Sequence, residues 1–130
     1  MATIFTKIAN GEIPCYKIAE DERCFAFLDI NPLQKGHTLV IPKKEVDYIF
    51  DLEDEDLVAM QLFAKKVAKA IRKTFSCKKV AQVVLGMEVP HAHIHLIPMN
   101  NEKEVNFFGE KKSLTKEEFE QIAEKIRSNF

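Results

Sequence analysis

Between Val89 and Pro98 the chain alternates histidine with apolar residues, His91-Ala92-His93-Ile94-His95-Leu96. Successive side chains of a strand point to opposite faces. A strand here therefore sets three of the four histidines in one row and turns Ala92, Ile94 and Leu96 the other way, where they can enter a core. Three imidazoles in a row make each further positive charge costlier. A free histidine titrates near ~6.5 and is roughly three-quarters neutral at pH 7, and crowding raises that fraction. Neutral imidazole can attack phosphorus or bind a metal.

A chain of 130 residues supports one domain with one core, residues 1–130. The formal net charge of −1 supplies no global field to draw in nucleic acid or membrane. The lysine doublets at 43–44, 65–66, 78–79 and 111–112 are dispersed and read as solvated faces. No basic and apolar leader is visible, and no apolar run approaches the ~20 residues of a membrane span, so a cytoplasmic protein is expected. Cys15, Cys24 and Cys77 are odd in number and contain no Cys-x-x-Cys pair, which suits reduced thiols.

In chain order, Thr3 can cap a short helix through Ile4, Phe5 and Ile8 that stops at Asn10-Gly11. Cys15 to Ala19 reads as extended, and Cys24 to Ile30 as a second strand that stops at Asn31-Pro32. His37 to Ile41 forms a third, antiparallel to the second across a short loop that brings His37 and Asp29 close. Leu57, Met60, Leu62, Phe63, Val67, Ala70 and Ile71 recur at helical steps up to about Thr74. Acidic residues 53–56 and basic Lys69, Arg72 and Lys73 suit the two poles of that helix. Val80 to Leu85 reads as a buried strand, and the histidine strand follows, closed by Pro98. Residues 100–109 look like a loop in which Phe107-Phe108 has no evident role. Thr115 and Glu118 match a capping box before a last helix through Phe119, Ile122, Ala123 and Ile126.

Three readings of the histidine row compete on chain physics alone. It could be a solvated structural face. It could bind zinc, with His37, Glu88 or Cys24 completing the ligand set. It could carry a nucleophile, the middle imidazole attacking phosphorus while its far nitrogen is oriented by a backbone carbonyl and its neighbours hold the charged oxygens. Other chemistries lack their parts: there is no phosphate-binding Gly-x-x-x-x-Gly-Lys loop, no Gly-x-Ser-x-Gly elbow and no interleaving of basic and aromatic residues.

The run His91-Ala92-His93-Ile94-His95-Leu96-Ile97 resembles the His-φ-His-φ-His-φ-φ signature of the histidine triad family of nucleotide hydrolases and transferases. Thr3-Ile4-Phe5-Thr6-Lys7-Ile8 with Gly11-Glu12-Ile13-Pro14 is similar to that family's opening. Phe27-Leu28-Asp29-Ile30-Asn31-Pro32 followed by Gly36-His37-Thr38-Leu39-Val40-Ile41-Pro42-Lys43 is similar to its central hairpin. The resemblance covers roughly Thr3 to Pro98. It implies an α+β fold, a five-stranded antiparallel sheet with a long helix and a C-terminal helix, pairing as a homodimer into a ten-stranded sheet. It implies His93 as nucleophile towards the α-phosphorus of a purine nucleotide, in phosphoramidates or dinucleoside polyphosphates. His91 and His95 would contact phosphate oxygens and orient His93, and His37 would lie near the same phosphates. Asp29, with Asn31 the weaker candidate, would bond the ribose. Phe5, Ile8, Phe27 and Ile30 would wall the base slot. No cofactor and no metal are expected.

The chain departs from the family's pattern in places. Where some branches carry a zinc-binding Cys-x-x-Cys and a later histidine, this sequence has Thr3, Thr6 and Glu45, so no structural zinc is expected. Met87 stands where many members have a polar residue, and methionine is a poor partner for a leaving group. That departure keeps a non-catalytic purine-nucleotide binder open as the alternative. The region after Pro98, residues 98–130, carries no transferable motif.

Overall fold

The computed structural model describes residues 2–130. Helix α1 (Ile4–Ala9) is followed by strands β1 (Lys17–Glu20), β2 (Cys24–Leu28) and β3 (Thr38–Pro42). The long helix α2 (Asp54–Thr74), strands β4 (Lys79–Val83) and β5 (Ile94–Met99) and helix α3 (Lys116–Asn129) complete the chain. All pairings are antiparallel, in one five-stranded sheet of order β1-β2-β3-β5-β4. The expected α+β architecture is the one found.

Alternation along the strands sorts residues into two apolar layers. Cys24, Ala26, Leu28 and Val40 face α2 and α3 and join Met60, Phe63, Val67, Ile71, Phe119, Ile122 and Ile126 in the main core. Phe25, Phe27, Leu39 and Ile41 face the other way and meet Phe5 and Ile8 of α1. Each fully buried aliphatic or aromatic side chain contributes about 1.5–3 kcal/mol. A charge at Val67, 0 % exposed, would therefore cost the helix its seat.

Helix α2 forms because its apolar stripe is at helical spacing and its charges complement the macrodipole, with Asp54, Glu55 and Asp56 in the first turn and Arg72 and Lys73 in the last. Leu62, placed on the apolar stripe by spacing, is instead 56 % exposed, on the outer face with Val58. Thr3 caps α1, its side chain accepting from the Thr6 N–H, and Thr115 and Glu118 form the expected capping box of α3. Gly36 takes φ +93° in the turn before β3, where the Phe75 ring closes on its α-carbon.

Two strands differ from their sequence reading. β4 is an edge strand, half-buried rather than buried, because only β5 pairs with it. β5 begins at Ile94, so His91 and His93 precede the ladder, and it runs one residue past Pro98. A proline is tolerated there because β3 pairs with β5 no further than Leu96, leaving β4 as the only neighbour.

Candidate active site

β5 lies between β3 and β4, and its approach segment crosses the end of β3. Ala92, Ile94 and Leu96 enter the main core, which turns the histidines to the opposite face as alternation requires. All four histidines are buried, at 0 % exposure for His91, 2 % for His37, 6 % for His93 and 9 % for His95. A solvated structural face is therefore not what the row forms.

The hydrogen bonds assign a proton to each ring. A backbone carbonyl can only accept, so the 2.7 Å contact between His93 Nδ1 and the His91 carbonyl puts the proton on Nδ1. Neutral His93 then carries a bare lone pair on Nε2. The Leu33 N–H donates to His37 Nδ1 at 3.0 Å. His37 therefore holds its proton on Nε2 and donates it to His95 Nδ1, also at 3.0 Å. His95 is left with a free Nε2–H donor. No fully buried side-chain nitrogen or oxygen among the described residues lacks a partner. The unpaired Nε2 atoms of His93 and His95 thus keep contact with solvent.

His91 is different. Its Nε2–H donates to the Pro42 carbonyl at 2.7 Å, and its Nδ1 accepts from the Thr3 hydroxyl at 2.8 Å. Both ring nitrogens are used inside the protein, which leaves none for a phosphate oxygen; the expectation of a phosphate contact from His91 gives way to an anchoring position.

Burial favours the neutral form of His93, His37 and His95. It lowers the His93 pKa, the neighbouring His91 ring adding to the effect and the His91 carbonyl opposing it. Burial, then the charges of His95 and Lys111, brings His37 down to about 3. Burial, then His93, brings His95 to about 4. Crowding, the cause expected from sequence, acts in the same direction but ranks second to desolvation. His37 Nε2 also lies 3.5 Å from Asp29 Oδ2, yet with His37 neutral at pH 7 this is a polar contact and not an ion pair.

Asp29 is 19 % exposed at the edge of the histidine cluster. The Asn31 N–H donates to its Oδ1 at 2.8 Å, so Asn31 fixes the carboxylate through its backbone while its residue remains exposed. Burial raises the Asp29 pKa, opposed by that bond and by Lys111. Phe5, Ile8 and Phe27 come together beneath the histidines, and the Phe5 ring stands edge-on to His93 at 4.9 Å. Ile30 does not join them; it is 66 % exposed and borders a groove of about 550 Å³ with Pro14, Cys15 and Tyr16.

Ligand atoms of Asp29, His37 and His95 lie within 4.8 Å of one another and could hold a metal ion. Cys24 cannot complete such a set, since it faces the main core, where burial pushes its thiol up to about 12. Thr3, Thr6 and Glu45 converge on His91, but two hydroxyls already hydrogen-bonded to their neighbours are not the nitrogen and sulfur donors zinc favours.

Other neighbours were not legible from the sequence. Phe107 packs edge-on against His95 at 4.9 Å, and the Lys111 ammonium donates to the Phe107 carbonyl at 2.6 Å. The Phe107-Phe108 pair was the only hint, and Phe108 is fully exposed. Met87 is 92 % exposed and points no polar atom at the histidines.

Comparison with known proteins agrees with this geometry. The HIT domain family model matches residues 10–102. An uncharacterized HIT-like protein of Methanocaldococcus jannaschii is 41% identical over 120 residues, 88% of this chain and 93% of its own length. The adenosine 5'-monophosphoramidase of Schizosaccharomyces pombe is 41% identical over 104 residues, 79% of this chain and 78% of its own. The crystal structure of a Hit-like protein from Bartonella henselae superimposes with a TM-score of 0.84 at 33% identity, covering 98% of this chain and 96% of that one. The family model over most of the chain, with these relatives and this match in fold, places the chain in the histidine triad (HIT) family.

Proposed function

We propose that the protein hydrolyses α-phosphate bonds of purine nucleotides, in nucleoside phosphoramidates or dinucleoside polyphosphates, and releases a nucleoside monophosphate. One observation carries this reading: the His91 carbonyl holds the His93 proton on Nδ1 and leaves Nε2 bare and facing solvent. A neutral imidazole so oriented is a nucleophile at pH 7 without help from a base. The relation to monophosphoramidases supports the same class of substrate.

In the proposed reaction the base rests against Phe5, Ile8 and Phe27, and Asp29 accepts hydrogen bonds from the ribose hydroxyls. His93 Nε2 attacks the α-phosphorus. A nitrogen–phosphorus bond forms, and the bond to the leaving group breaks, its electron pair departing with that group, which takes a proton from solvent. The His95 Nε2–H donates to a phosphate oxygen as charge develops, and His37 fixes His95 in the tautomer that can do so. Water then attacks phosphorus and releases a proton to solvent, the nitrogen–phosphorus bond breaks with its electron pair returning to Nε2, and the monophosphate leaves with His93 neutral again and still protonated on Nδ1.

Met87 favours a second reading, a purine-nucleotide binder that does not turn over, because its exposed thioether offers a leaving group no proton. Release of AMP from an adenosine phosphoramidate and from a diadenosine polyphosphate, with chelator present, separates the two. Hydrolysis of either substrate supports the enzyme; AMP binding with no release from either supports the binder.

The chain is further proposed to pair as a homodimer with a continuous ten-stranded sheet. The edge strand β4 and the exposed Val58 and Leu62 of α2 supply an unpaired ladder and an apolar face for it. Three free cysteines fit the proposed cytoplasmic location, and no helix among the described residues is long and apolar enough to cross a membrane.

A further inference from the structure

Glu45 is remote in sequence from both α1 and the histidine row, yet it joins them. Its Oε1 accepts from the Thr3 N–H at 2.7 Å and from the Thr6 hydroxyl at 2.6 Å. The Thr6 proton is thereby committed to Glu45, although Thr6 Oγ1 also lies 3.4 Å from His91 Nδ1. The Thr3 hydroxyl accepts from the Thr6 N–H at 3.2 Å and gives its own proton to His91 Nδ1 at 2.8 Å. With the His91 Nε2 proton fixed on the Pro42 carbonyl, one arrangement of protons satisfies every member of the group.

The same short segment grips the approach to β5 at further points. The Pro42 carbonyl takes the His91 ring, and the Val46 carbonyl accepts from the Ala92 N–H at 2.7 Å. The His91 carbonyl in turn orients His93 at 2.7 Å. On its other side His93 meets the Phe5 ring, which sits on the helix that Glu45 holds through Thr3 and Thr6. Two of the restraints on the His93 ring therefore run back to one carboxylate.

We propose that Glu45 is a positioning residue for His93, acting through Thr3, Thr6 and His91. The proposal rests on His93 being the nucleophile. Positioning errors of about 1 Å cost up to ~10²-fold in rate, and a partial loosening of one brace corresponds to about 10-fold.

The test compares wild type with Glu45→Ala and Glu45→Gln well below their melting temperatures. Two readouts are used: kcat and KM for the adenosine phosphoramidate, and the imidazole N–H proton resonances. Glu45→Ala is expected to lower kcat by about 10-fold with KM within about 3-fold, an effect on the reacting geometry. Its His93 Nδ1–H signal is expected to be broader than that of wild type. Glu45→Gln keeps an oxygen that accepts both bonds and is expected to restore kcat and the signal. Wild-type kcat and an unchanged His93 signal in Glu45→Ala would overturn the proposal, even if its melting temperature fell. Should wild type not turn over at all, the catalytic reading fails by itself, and the His93 resonance still decides whether Glu45 holds that ring.

Discussion

Lowering the pH from 7 to 5 should destabilise this protein steeply, and two histidines account for the size of the effect. His37 and His95 are 2 % and 9 % exposed and are held neutral down to about 3 and about 4. In the unfolded chain each titrates near ~6.5. Their folded pKa values lie below the unfolded ones. The stability they contribute is thus fully present above about 6.5 and is lost as pH falls from there towards 4 and 3. At pH 5 the unfolded histidine is almost wholly protonated and the folded one almost wholly neutral. Linkage then gives about 2 kcal/mol lost from each, or about 4 kcal/mol together. That is a large share of the 5–15 kcal/mol typical of a domain. Asp29, its pKa raised by burial, works in the opposite direction, because the folded protein takes up that proton at a higher pH than the unfolded chain does, and its contribution grows as pH falls through the raised value. Glu20, Glu45, Glu104 and Glu118, with lowered pKa values, also act mainly below pH 5. Urea unfolding followed by far-ultraviolet circular dichroism at fixed protein concentration measures the difference. The double variant His37→Gln/His95→Gln should begin less stable at pH 7 and lose far less on going to pH 5. A wild-type loss under about 1 kcal/mol, or an equal loss in the double variant, would show that His37 and His95 are not held neutral by the fold.

Two further outcomes follow from single contacts. Asp29→Asn should raise KM for a ribonucleotide by about 10-fold, the scale of one charge-assisted hydrogen bond, and should do so less for the corresponding 2′-deoxynucleotide; steady-state kinetics with both substrates checks this. Gly36→Ala places a β-carbon 2.5 Å from Phe75 Cε2 at φ +93°, so a loss on the order of 2 kcal/mol is expected in urea unfolding, with nucleotide affinity per folded molecule unchanged.

Much of the fold was legible because local signals agreed with one another. The bounds of α2 follow from its apolar spacing together with its acidic first turn and basic last turn, and α3 from the Thr115–Glu118 pair. The facing of the histidines followed from strand alternation, even though His91 and His93 lie outside the ladder. The reason is visible only in three dimensions: the end of β3 gives its Pro42 carbonyl to an imidazole instead of to a backbone N–H. β4 looked buried because its sequence is apolar, but burial of a strand depends on its neighbours, and β4 has one.

The site was legible where chemistry resides in residue type, and hidden where it resides in distant contact. His37, His95 and Asp29 lie together, with His93 against His95. Phe5, Ile8 and Phe27 meet as well, while Ile30 stands apart. Nothing in residue type told that His91 spends both nitrogens internally, or that Glu45 reaches α1 across 42 positions of chain. Phe107 arrives at His95 because the segment after β5 folds back, tied by the Lys112 N–H to the Pro32 carbonyl and by Gln34 to the Glu104 carbonyl.

His93, oriented by the His91 carbonyl, is proposed to form a bond to phosphorus. Single-turnover reaction with an adenosine phosphoramidate, in the presence of chelator, stopped in alkali to preserve phosphohistidine and analysed by intact mass and peptide mapping, tests it directly. An adenylyl group is expected on the peptide at His93 in wild type. None is expected in His93→Ala, which should still bind AMP while turnover falls at least ~10³-fold. AMP released at the wild-type rate by His93→Ala, or an adduct on any residue other than His93, would contradict it.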